Sequence, residues 1–261
     1  RPASTVSGPN ELGVLFSIFF FLALGLAIHG SSRSRVIMGA LSIAFLIGLG
    51  LTFSRSAFLG FVAAAAMFLL HLLLRSREKL ATLTVKQRRK IFLGAVGAVL
   101  VIFLVLGAVG MFGYVGRTLG ALAEEPHIQE SIAALQFIPK NPAGVGMGMV
   151  SPKGALMLKQ TESRFHVEGS LFQIALEWGV WGLALWTVFI GMNLMKVWKG
   201  WRRVQSPDEL VFLGTSFCAW IVSLVAFIFL PLMQSVNLTV LLWFMLGAGN
   251  RGAELSTDAY N

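Results

Sequence analysis

The chain has 261 residues, of which 56% are hydrophobic and only 13% charged, with a net charge of +9 and a mean hydropathy of +0.76. An ordinary soluble domain carries about 25% charged residues. This composition excludes a soluble domain, a disordered chain and a disulfide-stapled secreted module, and leaves an integral membrane protein. The chain begins at Arg1 with no signal sequence, and is read as a fragment of a longer polypeptide.

A bilayer core needs about 20 mostly apolar residues per helix. Seven stretches meet or approach that length: residues 12–28, 36–51, 57–74, 91–113, 169–195, 210–230 and 236–249. Barrel strands would alternate apolar and polar residues in short units. These runs are continuous, so the predicted fold is an all-α integral membrane protein of about seven transmembrane helices.

Between the second and third spans lies Thr52-Phe53-Ser54-Arg55-Ser56. Arg55 sits at the tip of a helical hairpin, where its guanidinium can bind a lipid phosphate or grip a substrate phosphate bidentately. Near the far end of the third span is His71, which is expected to snorkel to the headgroups.

The loop 114–168 is far longer than an ordinary connection. Residues 130–138 within it have apolar residues at helical spacing and predict a short surface helix, ended by Pro139 and Pro142. Asn141-Pro142-Ala143-Gly144-Val145-Gly146-Met147-Gly148 follows. It lacks the Gly-Lys-Ser/Thr of a phosphate loop and reads as a glycine-rich turn where backbone approaches another helix or a ligand.

A helix begun near Phe165 would align His166, Ser170, Gln173 and Glu177 on one face, descending roughly 16 Å into the span. Such a stripe should face a polar cavity rather than lipid. For His166 alone, an interfacial histidine bound to water is the competing reading; for Glu177 alone, a structural ion pair is. In the sixth span Cys218, the only cysteine, is expected to be a small buried residue.

Seven spans divide the loops into two sets. One set (29–35, 75–90, 196–209, 250–261) holds 14 of the 21 Lys and Arg residues; the other, although it includes the 114–168 loop, holds seven. The positive-inside rule makes the first set cytoplasmic and turns 114–168 outward. The net charge follows this topology, and no aromatic–basic motif suggests nucleic-acid binding. The outer polar residues predict a cavity rimmed by Arg55, Arg117 and Arg164, with His166 at its edge. Two arginines suit a phosphate or pyrophosphate, and a histidine suits general-base work on a hydroxyl. No carboxylate or His/Cys cluster has metal-ligand spacing, so no metal or other cofactor is expected.

Four places resemble the O-antigen ligase / O-antigen polymerase superfamily of bacterial envelope glycosyltransferases. They are Gly8-Pro9-Asn10-Glu11-Leu12; Thr52-Phe53-Ser54-Arg55-Ser56 with Gly60; the segment 137–148 (FIPKNPAGVGMG); and His166 followed by Glu177-Trp178-Gly179-Val180-Trp181-Gly182. One departure is His166-Val167, where many members have His-Asn. The resemblance covers residues 1–261 as the C-terminal portion of one polytopic domain, with 113–168 as its periplasmic loop.

It implies a GT-C-type glycosyltransferase of the bacterial inner membrane. The donor would be a glycan on undecaprenyl pyrophosphate, and the acceptor lipid A–core or a growing glycan. Arg55 and Arg117 would hold the pyrophosphate and His166 would deprotonate the acceptor, with inversion and without metal. Ser54, Arg164, Gln173 and Glu177 are the expected substrate contacts, and the polyprenyl tail would lie among membrane lipid. The alternative is a polytopic transporter or flippase, which would carry ionisable or helix-breaking positions near the midplane of several spans.

Overall fold

The computed structural model describes residues 8–30, 32–80, 126–150 and 169–258. Among them the elements are α1 (Pro9–His29), α2 (Ser32–Thr52), α3 (Arg55–Leu80), α4 (Pro126–Phe137), α5 (Ser170–Arg203), α6 (Pro207–Phe229) and α7 (Val236–Asp258), with no strand. Short 3-10 turns follow α4 (Ile138–Lys140) and α6 (Leu232–Gln234). Six of the seven predicted spans are therefore helices; the fourth, 91–113, lies outside the described residues. Among the described residues, five helices are long and apolar enough to cross a membrane: α1, α2, α3, α5 and α6. The far half of α7 carries Asn250, Arg251 and Glu254.

α6 is the central pillar, packed by α1, α3, α5 and α7. Its small residues let neighbours come close. The Cys218 thiol is buried and points at the Ala64 carbonyl of α3, 3.9 Å away. The indole of Trp220 donates to Leu242 O of α7 at 2.9 Å. A Cβ at Gly60 would lie 2.5 Å from Val222 O, so α3 meets α6 backbone to backbone there. Phe20 and Phe21 of α1 pack on Phe61 of α3.

The surface is that of a membrane bundle. Trp181, Leu185, Val188, Met192 and Met195 form an exposed apolar stripe on α5. Polar side chains within the helices turn inward on their own backbone: Ser17 Oγ donates to Gly13 O, Thr187 Oγ1 to Leu183 O, Asn193 Nδ2 to Phe189 O and Thr215 Oγ1 to Val211 O. That satisfies each group without water, as the hydrocarbon region demands.

The chain direction gathers Arg33, Arg35, Arg75, Arg202 and Arg203 at one end, the basic end. The starts of α1, α3, α5 and α7 lie at the other, called here the mouth. At the basic end Arg75 donates to Val204 O at 2.8 Å, closing the terminus of α5. His71 does not snorkel as expected. It is 1% exposed and stacked on Trp201 with ring centroids 3.6 Å apart. The last turn of α5 lays that indole over the imidazole and covers its route to the headgroups.

Gly60→Ala should force α3 and α6 apart, at a cost of about 1–3 kcal/mol for an overpacked contact. The expected result is a lower thermal midpoint for the detergent-purified protein. An unchanged midpoint would mean that the two backbones do not meet at this residue.

Candidate functional site

The hairpin between α2 and α3 is built from its own side chains. Thr52 Oγ1 donates to Leu49 O at 2.7 Å and accepts from Ser54 N at 3.3 Å. Phe53 turns the chain with φ +53°, a conformation that costs a bulky residue on the order of 1–2 kcal/mol. Ser54, 3% exposed, caps α3: its Oγ accepts from Ala57 N at 3.4 Å and lies 3.4 Å from Ser56 Oγ. Arg55 is the first residue of α3 and is half-buried. Arg55 thus stands at the positive end of a helix dipole, where an anion is favoured.

α5 departs most from expectation. Its first helical residue is Ser170, after an extended Gly169, and not a residue near Phe165. Its 34 residues are interrupted at Gly179, which has φ +75° and ψ −177°. The expected straight descent of a polar stripe does not occur, for a reason visible in the packing. Trp198 packs on Phe217 and Trp186 on Phe227, an antiparallel register with α6. An unbroken helix from Trp186 would carry Ser170 about 20 Å past the end of α6. Instead Ser170 N and Oγ both bond to Leu230 O, at 3.1 and 2.9 Å, and Gly169 sits against Ile228 O. The half-helix 170–178 therefore lies across the mouth rather than above it. Glu177 is at the mouth end of the bundle and not deep within a span. Exposed Trp178 and Trp181 flank the break, as befits a membrane–water boundary.

The glycine-rich turn closes over this break. In a continuous helix Leu176 O would accept from Val180 N–H and Glu177 O from the next amide. Here Val145 N donates to Leu176 O at 2.8 Å, Gly146 N to Glu177 O at 3.1 Å, and Val180 N to Pro142 O at 3.0 Å. The fit is made by two glycines with positive φ. A Cβ on Gly144 would lie 2.5 Å from Glu177 O, and one on Gly179 2.2 Å from Pro142 O. The Glu177 side chain joins in: Oε1 accepts from Val150 N at 3.3 Å. α4 and the turn after it shelter the joint with a small cluster of Ala134, Val150 and Leu176, against which Phe137, Ile138, Val145 and Phe172 pack. The helix predicted at 130–138 is thus present as α4, and the turn does approach another helix.

Of the candidate residues, Ser54, Arg55, Gln173 and Glu177 are described, whereas Arg117, Arg164 and His166 lie outside the described residues. Gln173 is 7% exposed on the inner side of the half-helix. Arg55 and Gly169 come to the same level. Gly60 against Val222 and Ala64 against Cys218 put α3 and α6 in antiparallel register, so Arg55 is level with the last turn of α6. Gly169 touches that same turn at Ile228. Among the described residues no group of three or more His, Cys, Asp or Glu could hold a metal. Sequence reasoning missed the break itself. The pairing of Gly144 with Gly179 that makes it joins two motifs 35 residues apart and leaves no local signal in either.

A family model described as O-antigen ligase matches residues 40–187, more than half of the chain. The matched stretch runs from α2 to just past the break in α5 and includes the hairpin and both glycines. No curated protein matches the chain. The chain belongs to the O-antigen ligase family, a family of glycosyltransferase-like membrane enzymes.

Gly144→Ala and Gly179→Ala should each open the joint, with a stability loss of about 1–3 kcal/mol. Because either substitution already breaks the same contact, the double variant should lose clearly less than the sum. Additive losses, read from thermal midpoints of the four proteins, would show that the two glycines act separately.

Proposed function

We propose that this O-antigen ligase family member transfers a glycan from undecaprenyl pyrophosphate to an acceptor hydroxyl, at a site on the periplasmic side of the bacterial inner membrane. The observation that carries the reading is the shared level of Arg55 and Gly169 on the last turn of α6. Only two residues, Val167 and Glu168, lie between His166 and Gly169, so the two are at most about 11 Å apart. An arginine at a helix N-terminus and a histidine tethered to the same end of the bundle suit a phosphorylated donor and a hydroxyl acceptor. The concentration of arginine at the opposite end supports the mouth as the outer face.

In this scheme Arg55 and Arg117 hold the pyrophosphate. His166 takes the proton from the acceptor hydroxyl as its oxygen attacks the anomeric carbon from the face opposite the pyrophosphate. The bond between that carbon and the pyrophosphate oxygen breaks, with inversion. The leaving charge is met by the two guanidinium groups and the start of the α3 dipole. No metal enters the scheme. Gln173 and Arg164 are placed as substrate contacts. Ser54 serves the site by capping α3 under Arg55. The acceptor is lipid A–core in a ligase, or a growing glycan in a polymerase. The polyprenyl tail runs along the exposed apolar faces, among membrane lipid. A transporter would place a helix break at the midplane; the break at Gly179 is instead at the mouth.

Arg55→Ala and His166→Ala should each abolish transfer in proteoliposomes supplied with lipid-linked glycan and acceptor, with membrane insertion unchanged. Arg55→Lys should recover only part of it, because ammonium lacks the bidentate fork. Transfer at the wild-type rate by either alanine variant removes that residue from the mechanism. For orientation, a cysteine replacing Lys153 should react with an impermeant thiol reagent added outside, and one replacing Lys86 should not; the reverse pattern would turn the mouth toward the cytoplasm.

A further inference from the structure

We infer that Glu177 is a positioning residue for transfer: its carboxylate fastens the 141–150 segment over the break in α5, and so fixes the point from which the chain leaves toward His166. The inference rests on the proposed role of His166, which Glu177 serves without touching the reactants.

Three features of the joint lead to it. First, Glu177 is bound to the segment through both backbone and side chain, by Gly146 N–H to its carbonyl at 3.1 Å and Val150 N–H to Oε1 at 3.3 Å. Second, Val150 is 1% exposed, so its N–H depends on that carboxylate; a buried amide without an acceptor is costly. Third, the chain leaves the joint at Val150 and rejoins α5 at Gly169, which is itself held against Ile228 O. Both anchors belong to one half-helix. Glu177 and Ser170 are seven residues apart, about 10 Å along its axis. A charged acceptor makes the stronger bond, yet the geometry asks only for an oxygen at Oε1. A carboxylate contacting a substrate hydroxyl or sugar would need its charge or both oxygens, and that difference can be measured.

The test uses the full chain in proteoliposomes with undecaprenyl-pyrophosphate-linked glycan and an acceptor. Glu177→Ala is expected to lower kcat about 10–100-fold, the scale of a catalytic group displaced by an ångström, with KM for the donor little changed. Glu177→Gln, whose amide oxygen still accepts from Val150, should recover most of the wild-type kcat. Hydrogen exchange of the 141–150 amides supplies a readout independent of transfer: faster in Glu177→Ala, near wild type in Glu177→Gln. If Glu177→Ala does not reach the membrane, Val150→Pro removes the donor instead and should reproduce its kinetics. A glutamine variant as damaged as alanine, or a KM increase with kcat retained, would make Glu177 a substrate contact and overturn the inference. Unchanged exchange in Glu177→Ala would also overturn it. Absence of transfer by the wild type would count against the proposed function and leave the exchange result to judge the joint.

Discussion

A broken helix at a membrane boundary leaves backbone donors and acceptors that lipid cannot satisfy. In α5 the break at Gly179 frees Leu176 O, Glu177 O and Val180 N, and residues 142–146 supply a partner for each. This exchange is possible only because Gly144 and Gly179 face one another without side chains. The mouth follows from it. The half-helix 170–178 swings across the end of α6, Gly169 and Ser170 lock onto Ile228 and Leu230, and the long loop is held at one anchor by Glu177 and at the other by Ser170.

The bundle beneath gives the mouth a rigid base. α6 is enclosed by four helices, and its small positions at Ser216, Cys218, Ala219 and Ser223 are buried against them. Close packing of small residues is how membrane helices associate where no hydrophobic drive separates them from lipid. The register it enforces sets the level at which α3 begins. With Gly60 on Val222 and Ala64 on Cys218, α3 can begin only at the level of the last turn of α6, so Arg55 appears where Gly169 does. The Cα of Arg55, at the first position of a capped helix, is held by helical backbone.

Electrostatics separates the two ends. Among the described residues, arginines accumulate where α1, α3 and α5 finish, and Arg55 stands at the mouth with the starts of four helices. A cation placed at a helix N-terminus favours a single anion, whereas a diffuse basic belt suits anionic lipid. His71 shows the difference at the basic end. Stacked under Trp201, it contributes to packing between α3 and α5 and not to the surface.

The sequence by itself determined the class and the six predicted spans that fall among the described residues. Continuous apolar runs of span length admit little else in lipid. It also carried the family, through motifs spread from the hairpin to Glu177, and it placed α4 within a few residues. It could not set the depth of Glu177 or the start of α5, because helical periodicity projects residues along a straight axis and has no means of representing a bend. The bend at Gly179 is decided by Gly144, 35 residues away, whose amide neighbours replace the lost helical bonds. Contacts between distant segments of backbone leave no local pattern in either, and so only the tertiary structure could show that the two glycine motifs are halves of one joint.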